Sequence, residues 1–367
     1  MLPAALRDHP ERRQQNTTYQ ENTKNTVQAL TPEILAQTSL ATLLNDHPLL
    51  ESALLEVGIE FDPDEQATLG AKLDQWASLR QQSAEAFLAR LIERINELHT
   101  LLGSTASLSQ VEIIAGHDKS GQPEMVPRIF LQRGDLLAIV GPTGSGKSRL
   151  LADIEWLATG DTPSGRQILV DGQSAADKRF STGGDQLIAQ LSQTMSFVLD
   201  ATVEELLELH VESRGMNRSL VQETIIAANE LSGESFNGST PLTSLSGGQT
   251  RALMVADTAL VCRSPIVLID EIENAGIDRR AAFNLLLSQE KIVLSATHDP
   301  LLALLAPRRL CMRHGAMHSL HLRSPEEESI LSELEVLDDI HAAIRHQLRH
   351  GERIAPIHCE AVRRKTP

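Results

Sequence analysis

The chain has 367 residues, a formal net charge of −16, 41% hydrophobic residues and only 3% aromatic ones. That length is a soft prior for two domains or one large one, and the apolar share suffices for a core built from Leu, Ile, Val and Ala. The acidic balance argues against non-specific binding to nucleic acid or to anionic membrane surfaces, both of which require basic patches.

The three cysteines, Cys262, Cys311 and Cys359, have no metal or redox spacing, as expected of a reduced, cytoplasmic protein. No apolar run approaches the roughly 20 residues of a membrane-spanning helix. Residues 1–15 carry charges and no apolar segment, so they are not expected to act as a secretory signal.

Residues 1–29 are polar, dominated by Gln, Asn, Thr and Arg, and read as a disordered leader. From Leu30 the pattern predicts a small all-α domain over residues 30–100. Ser39 to Leu44 reads as a short helix and Pro48 to Val57 as a second, stopped by Gly58. Two more amphipathic helices are predicted over Ala67–Leu79 and Ala84–Leu98, the latter with Phe87, Leu88, Leu91, Ile92 and Ile95 at helical spacing. The order L-T-P, H-P-x-L, G-I-x-F resembles a small helical domain of unknown function, found alone and fused to redox and iron–sulfur-repair proteins. Many members carry cysteines just after G-I-x-F. Here Phe61-Asp62-Pro63-Asp64 has none, and a packing or protein-docking module is expected.

After a small-residue linker, Val111 to Ala115 and Arg128 to Leu131 read as strands, separated by a turn from His117 to Pro123. Gly141-Pro142-Thr143-Gly144-Ser145-Gly146-Lys147-Ser148 then fits G-x-x-x-x-G-K-[ST]. The apolar run Leu136 to Val140 before it reads as a buried strand, and Arg149 to Ile154 after it as the opening of a helix, which is the context this phosphate-binding motif needs. Its glycines let backbone N–H groups turn inward, and the helix N-terminus adds positive potential. Lys147 can reach β- and γ-phosphates, and the Ser148 hydroxyl can hold Mg²⁺.

Further along, Gln167 to Gly172 reads as a strand and turn, Leu187 to Phe197 holds a strand ending near Gln193, and Val203–Leu209 and Ser219–Leu231 read as helices. Leu245-Ser246-Gly247-Gly248-Gln249 opens a helix expected from Thr250 to about Val261 and offers a second anion cradle in its backbone N–H groups and the Ser246 hydroxyl. Ile266 to Ile269 is a buried strand with Asp270 and Glu271 at its carboxyl end, where ligands lie in an open α/β sheet. Asp270 suits the Mg²⁺ shell and Glu271 the orientation or deprotonation of an attacking water. Ile292 to Thr297 is another buried strand that delivers His298. The end of the chain carries a predicted helix from Glu326 to Arg349 and a polar tail. Its histidines, His341, His346, His350 and His358, have no convincing ligand spacing, and a solvated helix face is expected.

Taken in order, these motifs resemble those of ATP-binding cassette (ABC) ATPases over residues 105–322, with L-S-G-G-Q verbatim. The resemblance implies an α/β P-loop NTPase fold, an ABC-type nucleotide-binding domain, preceded by the small all-α domain and followed by a helical C-terminal tail over residues 323–367. It implies ATP and Mg²⁺ as ligands, with Gly141 to Ser148 on the phosphates. Lys147 would stabilise the transferring charge, Glu271 act on water and His298 contact the γ-phosphate. Gln193 would touch Mg²⁺ and water, with Gln190 a competing position, and Ser148, Gln193 and Asp270 would manage the metal. The family site is composite, so Ser246, Gly247, Gly248 and Gln249 would complete the site of a second subunit in a homodimer or a heterodimer with another ABC subunit.

Several positions depart from the family pattern. Ile272-Glu273-Asn274 replaces the usual Pro-Thr, and the stretch from Asp270 to Asp278 is one residue longer than usual. Asp257 stands where an arginine is usual, and the aromatic that commonly stacks on adenine is missing, with His117 nearest its place. Two roles stay open at this level: the ATP-binding subunit of a transporter, partnered by a membrane-spanning permease at the inner membrane face, or a soluble ATPase acting on a client protein recruited by the helical domain. A nucleic-acid partner is not expected.

Overall fold

A computed structural model describes residues 32–46, 50, 53–54, 67–73, 83–101, 108–174, 186–192, 196–197, 199–270, 276–349 and 351–354. The predicted leader, the segment Phe61–Asp64 and most of the helix expected over Pro48–Val57 lie outside them. By its contacts the chain divides into two compact units, Met1–Leu98 and His99–Pro367.

The first unit is helical. Its described helices are α1 (Pro32–Gln37), α2 (Leu40–Asp46) and α3 (Ala84–Leu101). Ser39 starts α2 by accepting from the Thr42 N–H at 3.3 Å. Phe87, Leu88, Leu91 and Ile95 fall on one side of α3 because i, i+1, i+4 and i+8 share a helical face, and they join Leu35, Leu40 and Leu69 in one buried cluster. The chain at Gly70 passes so close to α1 that a Cβ there would stand 2.5 Å from the Ala36 carbonyl oxygen, which is why a glycine occupies this helical position at some cost in propensity.

The second unit holds two sheets. Its strands are β1 (Gln110–Ile114), β2 (Arg128–Gln132), β3 (Leu136–Val140), β4 (Gln167–Val170), β5 (Gln173–Ser174), β6 (Ile188–Leu191), β7 (Ile266–Asp270), β8 (Ile292–Ala296), β9 (Arg308–Arg313) and β10 (Ala316–Leu322). Its helices are α4 (Lys147–Glu155), α5 (Val203–Ser213), α6 (Ser219–Leu231), α7 (Gly247–Leu260), α8 (Arg279–Ser288), α9 (Pro300–Leu305) and α10 (Pro325–Arg349). The smaller sheet is antiparallel, in the order β2-β1-β4-β5, and the larger runs β10-β9-β3-β8-β7-β6. Strands β9, β3, β8, β7 and β6 are mutually parallel, and only the β9–β10 hairpin is antiparallel.

The apolar runs of β3, β7 and β8 have no polar alternation because both faces of the large sheet are covered. Their period of two divides the residues between two cores. Leu137, Ile139, Leu268 and Leu294 face α4 and the small sheet, whereas Leu136, Ala138, Val267 and Val293 face the helices α5 to α8. The register pairs Ile139 with Ala296 and Ala296 with Asp270, so the carboxyl ends of β3, β8 and β7 finish level on one edge. That edge is where the chain presents the phosphate motif, His298 and Asp270.

The β9–β10 hairpin and helices α8 and α9 are absent from the sequence-based reading. The pattern of β9 is obscured because Arg308 and Arg309 stand inside it, and each is neutralised tertiarily: Arg308 donates to Asp135 at 2.6 Å and Arg309 to Glu327 at 2.6 Å. Helix α7 begins at Gly247, three residues before the expected start, because Ser246 and Gln249 form a reciprocal capping box.

Beneath the phosphate motif lies a fully buried ion network. Arg166 donates from Nη2 to Glu124 at 2.6 Å and from Nη1 to Asp153 at 2.8 Å, and all three side chains have no solvent exposure. Nη2 also donates to the Gly315 carbonyl at 2.6 Å, in the β9–β10 turn. Glu124 accepts from the N–H groups of Gly116 and Met317 at 2.9 and 2.6 Å. The network therefore ties together a loop of the small sheet, helix α4 and the hairpin. Removing the cation leaves two buried carboxylates uncompensated, so Arg166→Met is expected to destabilise this unit by about 3–5 kcal/mol. A urea titration reads the loss as a lowered midpoint, with partial recovery when Glu124→Gln and Asp153→Asn are added. A change of less than about 1 kcal/mol would contradict the role given to this network.

Candidate active site

The loop between β3 and α4 is shaped by glycines that no other residue could replace. Gly141 and Gly146 have φ of 151° and 105°. A Cβ at Gly141 would stand 2.5 Å from the Met312 oxygen and one at Gly146 2.8 Å from the Gly315 Cα, so the loop lies directly on the β9–β10 turn. The Gly315 N–H donates to the Ser145 carbonyl at 2.8 Å and closes that contact. Gly146 is the N-cap of α4 and supplies no side-chain cap, which leaves the first N–H groups of the helix to bind an anion. Ser145 Oγ is buried without a hydrogen-bond partner, as expected of a polar group lining a cradle for phosphate. Pro142, Thr143, Gly144 and Ser148 are exposed along the rim.

Lys147 is buried, and its ammonium donates to the Gly141 carbonyl at 2.9 Å and to His298 Nε2 at 3.0 Å. An ammonium only donates, so His298 accepts at Nε2. His298 itself is exposed at the end of β8, and its neighbour Thr297 is buried there. Asp299, next in the chain, caps α9 with Oδ1 on the Leu301 and Leu302 N–H groups at 2.8 and 3.2 Å. Its Oδ2 accepts from Arg279, which also pairs with Asp338 of α10. Asp270 is half-buried at the carboxyl end of β7. Glu271 and Gln193 lie outside the described residues, whereas the competing Gln190 sits within β6, opposite Leu268.

The sequence-predicted residues thus fall into two groups. The loop, Lys147 and His298 are in contact. Ser246 and Gln249 instead engage one another: the Ser246 N–H donates to Gln249 Oε1 at 2.8 Å, and the Gln249 N–H donates to Ser246 Oγ at 3.3 Å. Gln249 Nε2 also donates to the Glu234 carbonyl at 3.3 Å. The Ser246 hydroxyl accepts in that cap, so its own proton stays available to an anion, and Ser246 and Gly247 are exposed. Gly276 to Asp278 precede α8, which Asp278 caps through the Ala281 N–H at 3.0 Å.

The turn from His117 to Pro123 differs from expectation. The His117 ring packs on Gly165, where a Cβ would lie 3.1 Å from its Cδ2. Lys119 is the residue that reaches the loop, donating from Nζ to the Gly144 carbonyl at 3.0 Å. Asp118 shapes the turn by accepting from the Ser120 and Gln122 N–H groups at 2.7 and 2.9 Å. Those bonds, Gln122 first, hold its carboxyl below the usual carboxylate range. Nothing in the sequence singles out Lys119, a lone lysine in a polar turn. Asp257, in its unusual position, accepts from or pairs with His210 Nδ1 at 3.0 Å and so fastens α7 to α5.

Comparison with known proteins agrees with this geometry. A family model described as ABC transporter matches residues 128–274. An uncharacterised ABC transporter ATP-binding protein of Methanocaldococcus jannaschii is 48% identical over 248 residues, which cover 67% of this chain and 95% of that protein. The lipoprotein-releasing system ATP-binding protein LolD of Bordetella pertussis is 32% identical over 207 residues, 52% of this chain and 84% of its own. Among solved structures, an ATP-binding subunit of an ABC transporter is similar at 19% identity and a TM-score of 0.47, over 65% of this chain. With nearly the whole length of the archaeal relative matched at almost half its positions, and a glycine-built phosphate loop at the level edge of a parallel sheet, the chain belongs to the family of ABC transporter ATP-binding proteins, which bind and hydrolyse ATP.

Proposed function

We propose that the chain is the ATP-hydrolysing subunit of an ABC transporter, cytoplasmic and held at the inner membrane face by a membrane-spanning permease. The observation that carries this reading is the Lys147–His298 contact, 3.0 Å at the mouth of the phosphate loop, which gathers two phosphate-directed groups, from the start of α4 and from just past β8, at one point. The transporter role is supported by the relatives, named as ABC transporter and lipoprotein-releasing ATP-binding proteins. No described helix is long and apolar enough to cross a membrane.

The residues divide the work as follows. The N–H groups from Gly141 to Ser148 take the phosphate oxygens, and Ser145 Oγ and the open N-terminus of α4 add to that cradle. Lys147 exchanges its carbonyl and imidazole partners for β- and γ-phosphate oxygens and steadies charge in the transition state. Mg²⁺, held by Ser148, Gln193 and Asp270, would supply charge neutralisation on the β- and γ-oxygens when bound. Glu271 orients and deprotonates the attacking water, Gln193 acts on Mg²⁺ and water, and His298 contacts the γ-phosphate. Ser246, Gly247, Gly248 and Gln249 act in trans, on the nucleotide of a second ABC subunit facing head to tail. Their bonding to one another and to Glu234, rather than to their own loop, supports that division.

Five outcomes test the reading. Lys147→Ala is expected to abolish binding of a fluorescent ATP analogue, and Glu271→Gln to bind ATP normally while losing turnover by about 100-fold or more. In Glu271→Gln, light scattering should find a dimer that appears on adding ATP; wild-type turnover in that variant would contradict the role of Glu271. Lys119→Ala is expected to weaken ATP binding roughly 3- to 10-fold, and less at high salt, through loss of an exposed cation at the loop. An unchanged affinity at low salt would leave Lys119 as a turn residue only. Affinity capture of tagged chain from detergent-solubilised membranes should bring down a multispanning protein; capture of a soluble client alone would overturn the transporter assignment.

A further inference from the structure

His298 stands between two residues that are pinned in place. Before it, Thr297 is buried, and its N–H donates to the Ile139 carbonyl of β3 at 3.1 Å. After it, the Asp299 N–H donates to Thr297 Oγ1 at 3.0 Å, and the Asp299 carbonyl accepts from the Ala303 N–H at 3.0 Å. Its Oδ1 caps α9, and its Oδ2 accepts from Arg279. The bonds to Thr297 and α9 fix Asp299 only against its own chain neighbours. The bond from Arg279 comes from the first residue of α8, 20 positions earlier. That end of α8 is itself held, because the Asp278 N–H donates to the Leu231 carbonyl at 2.9 Å.

Arg279 spends its two terminal nitrogens on two carboxylates, Nη1 on Asp299 and Nη2 on Asp338 of α10. A guanidinium is a planar fork, so the place of one carboxylate sets the place of the other. The three side chains are only 13%, 18% and 22% exposed, which shields the pairs from screening by salt. Fastening α10 does not by itself call for this arginine. Arg280, the next residue, pairs with Asp339 and lies 3.6 Å from Glu335, both on α10. Glu327 and Glu328 hold the start of the same helix through Arg309 and Arg323, at 2.6 Å each. What Arg279 adds is the reach to Asp299, and through it a fixed seat for the imidazole that accepts from Lys147 at 3.0 Å.

We propose that Arg279 is a positioning residue for ATP hydrolysis: clamped by Asp338 of α10, it holds Asp299 and so sets where His298 meets the nucleotide. The proposal rests on the reading of His298 as a γ-phosphate contact. Hydrolysis of radiolabelled ATP is followed in single turnover with the full-length chain in excess, beside the affinity for a fluorescent ATP analogue. Arg279→Met is expected to slow hydrolysis about 10-fold and to leave affinity within about 2-fold, because a misplaced group costs rate rather than binding. Asp338→Asn, which leaves the Asp299 bond in place, should lose about 3-fold, and Arg280→Met should keep the wild-type rate. In a His298→Ala background Arg279→Met should cost nothing further, since residues that act as a unit are not additive. An equal loss in both backgrounds, a loss of affinity in place of rate, or an equal slowing in Arg280→Met overturns the proposal. Should Arg279→Met fail to fold, Asp338→Asn carries the same comparison with His298→Ala. A slow His298→Ala beside a wild-type rate in Arg279→Met overturns this proposal alone. A wild-type rate in His298→Ala overturns the reading of His298 and the proposal with it.

Discussion

The phosphate loop of this protein rests on a turn of its own β-hairpin, and the turn rests on a buried arginine. Arg166 holds the Gly315 carbonyl while the Gly315 N–H holds the Ser145 carbonyl, so one residue carries the connection from the ionic centre to the loop. Gly146 lies against the Gly315 backbone, where a Cβ on Gly146 would stand 2.8 Å from the Gly315 Cα, and a Cβ on Gly315 would instead meet the Lys119 side chain at 3.0 Å. A loop that must wrap an anion with N–H groups has few internal bonds of its own. Its shape is therefore borrowed from a rigid layer beneath it, where a fully buried arginine is paired with two fully buried carboxylates.

The catalytic edge depends on register in the same way. Because β3, β8 and β7 are parallel and end level, residues far apart in the chain arrive at one line without any loop having to reach across. Lys147 and His298, separated by 151 positions, touch at 3.0 Å. The signature residues Ser246 to Gln249 take no part in that meeting. They are organised by a capping box on a different helical layer, anchored by the α5–α7 link between His210 and Asp257.

Much of this was legible from the residues. Strands buried on both faces write themselves as unbroken apolar runs, and β3, β7 and β8 are of that kind. Phosphate chemistry imposes glycines at fixed steps, which composition alone does not disguise. What escaped was set by contacts far away in sequence. Arg308 and Arg309 make β9 look like a polar connection until their carboxylate partners on other elements are known. Lys119 looks like any lysine in a turn until Asp118 folds the turn back on the loop. The early start of α7 was readable after all, in the Ser246–Gln249 spacing, but the two intervening glycines hide it from any judgement by helix propensity.

Asp299 has both carboxylate oxygens committed, one to the start of α9 and the other to Arg279, whose guanidinium continues to Asp338 on α10. It is also covalently next to His298. A carboxylate with no spare oxygen is a stiff coupling rather than a hinge. When the imidazole beside it shifts by even part of an ångström, the displacement has to be taken up by the α9 cap, by the arginine or by the long C-terminal helix beyond it. The far end of the chain is therefore mechanically in series with the imidazole proposed to meet the terminal phosphate, and whatever holds α10 still also sets how freely that histidine can travel.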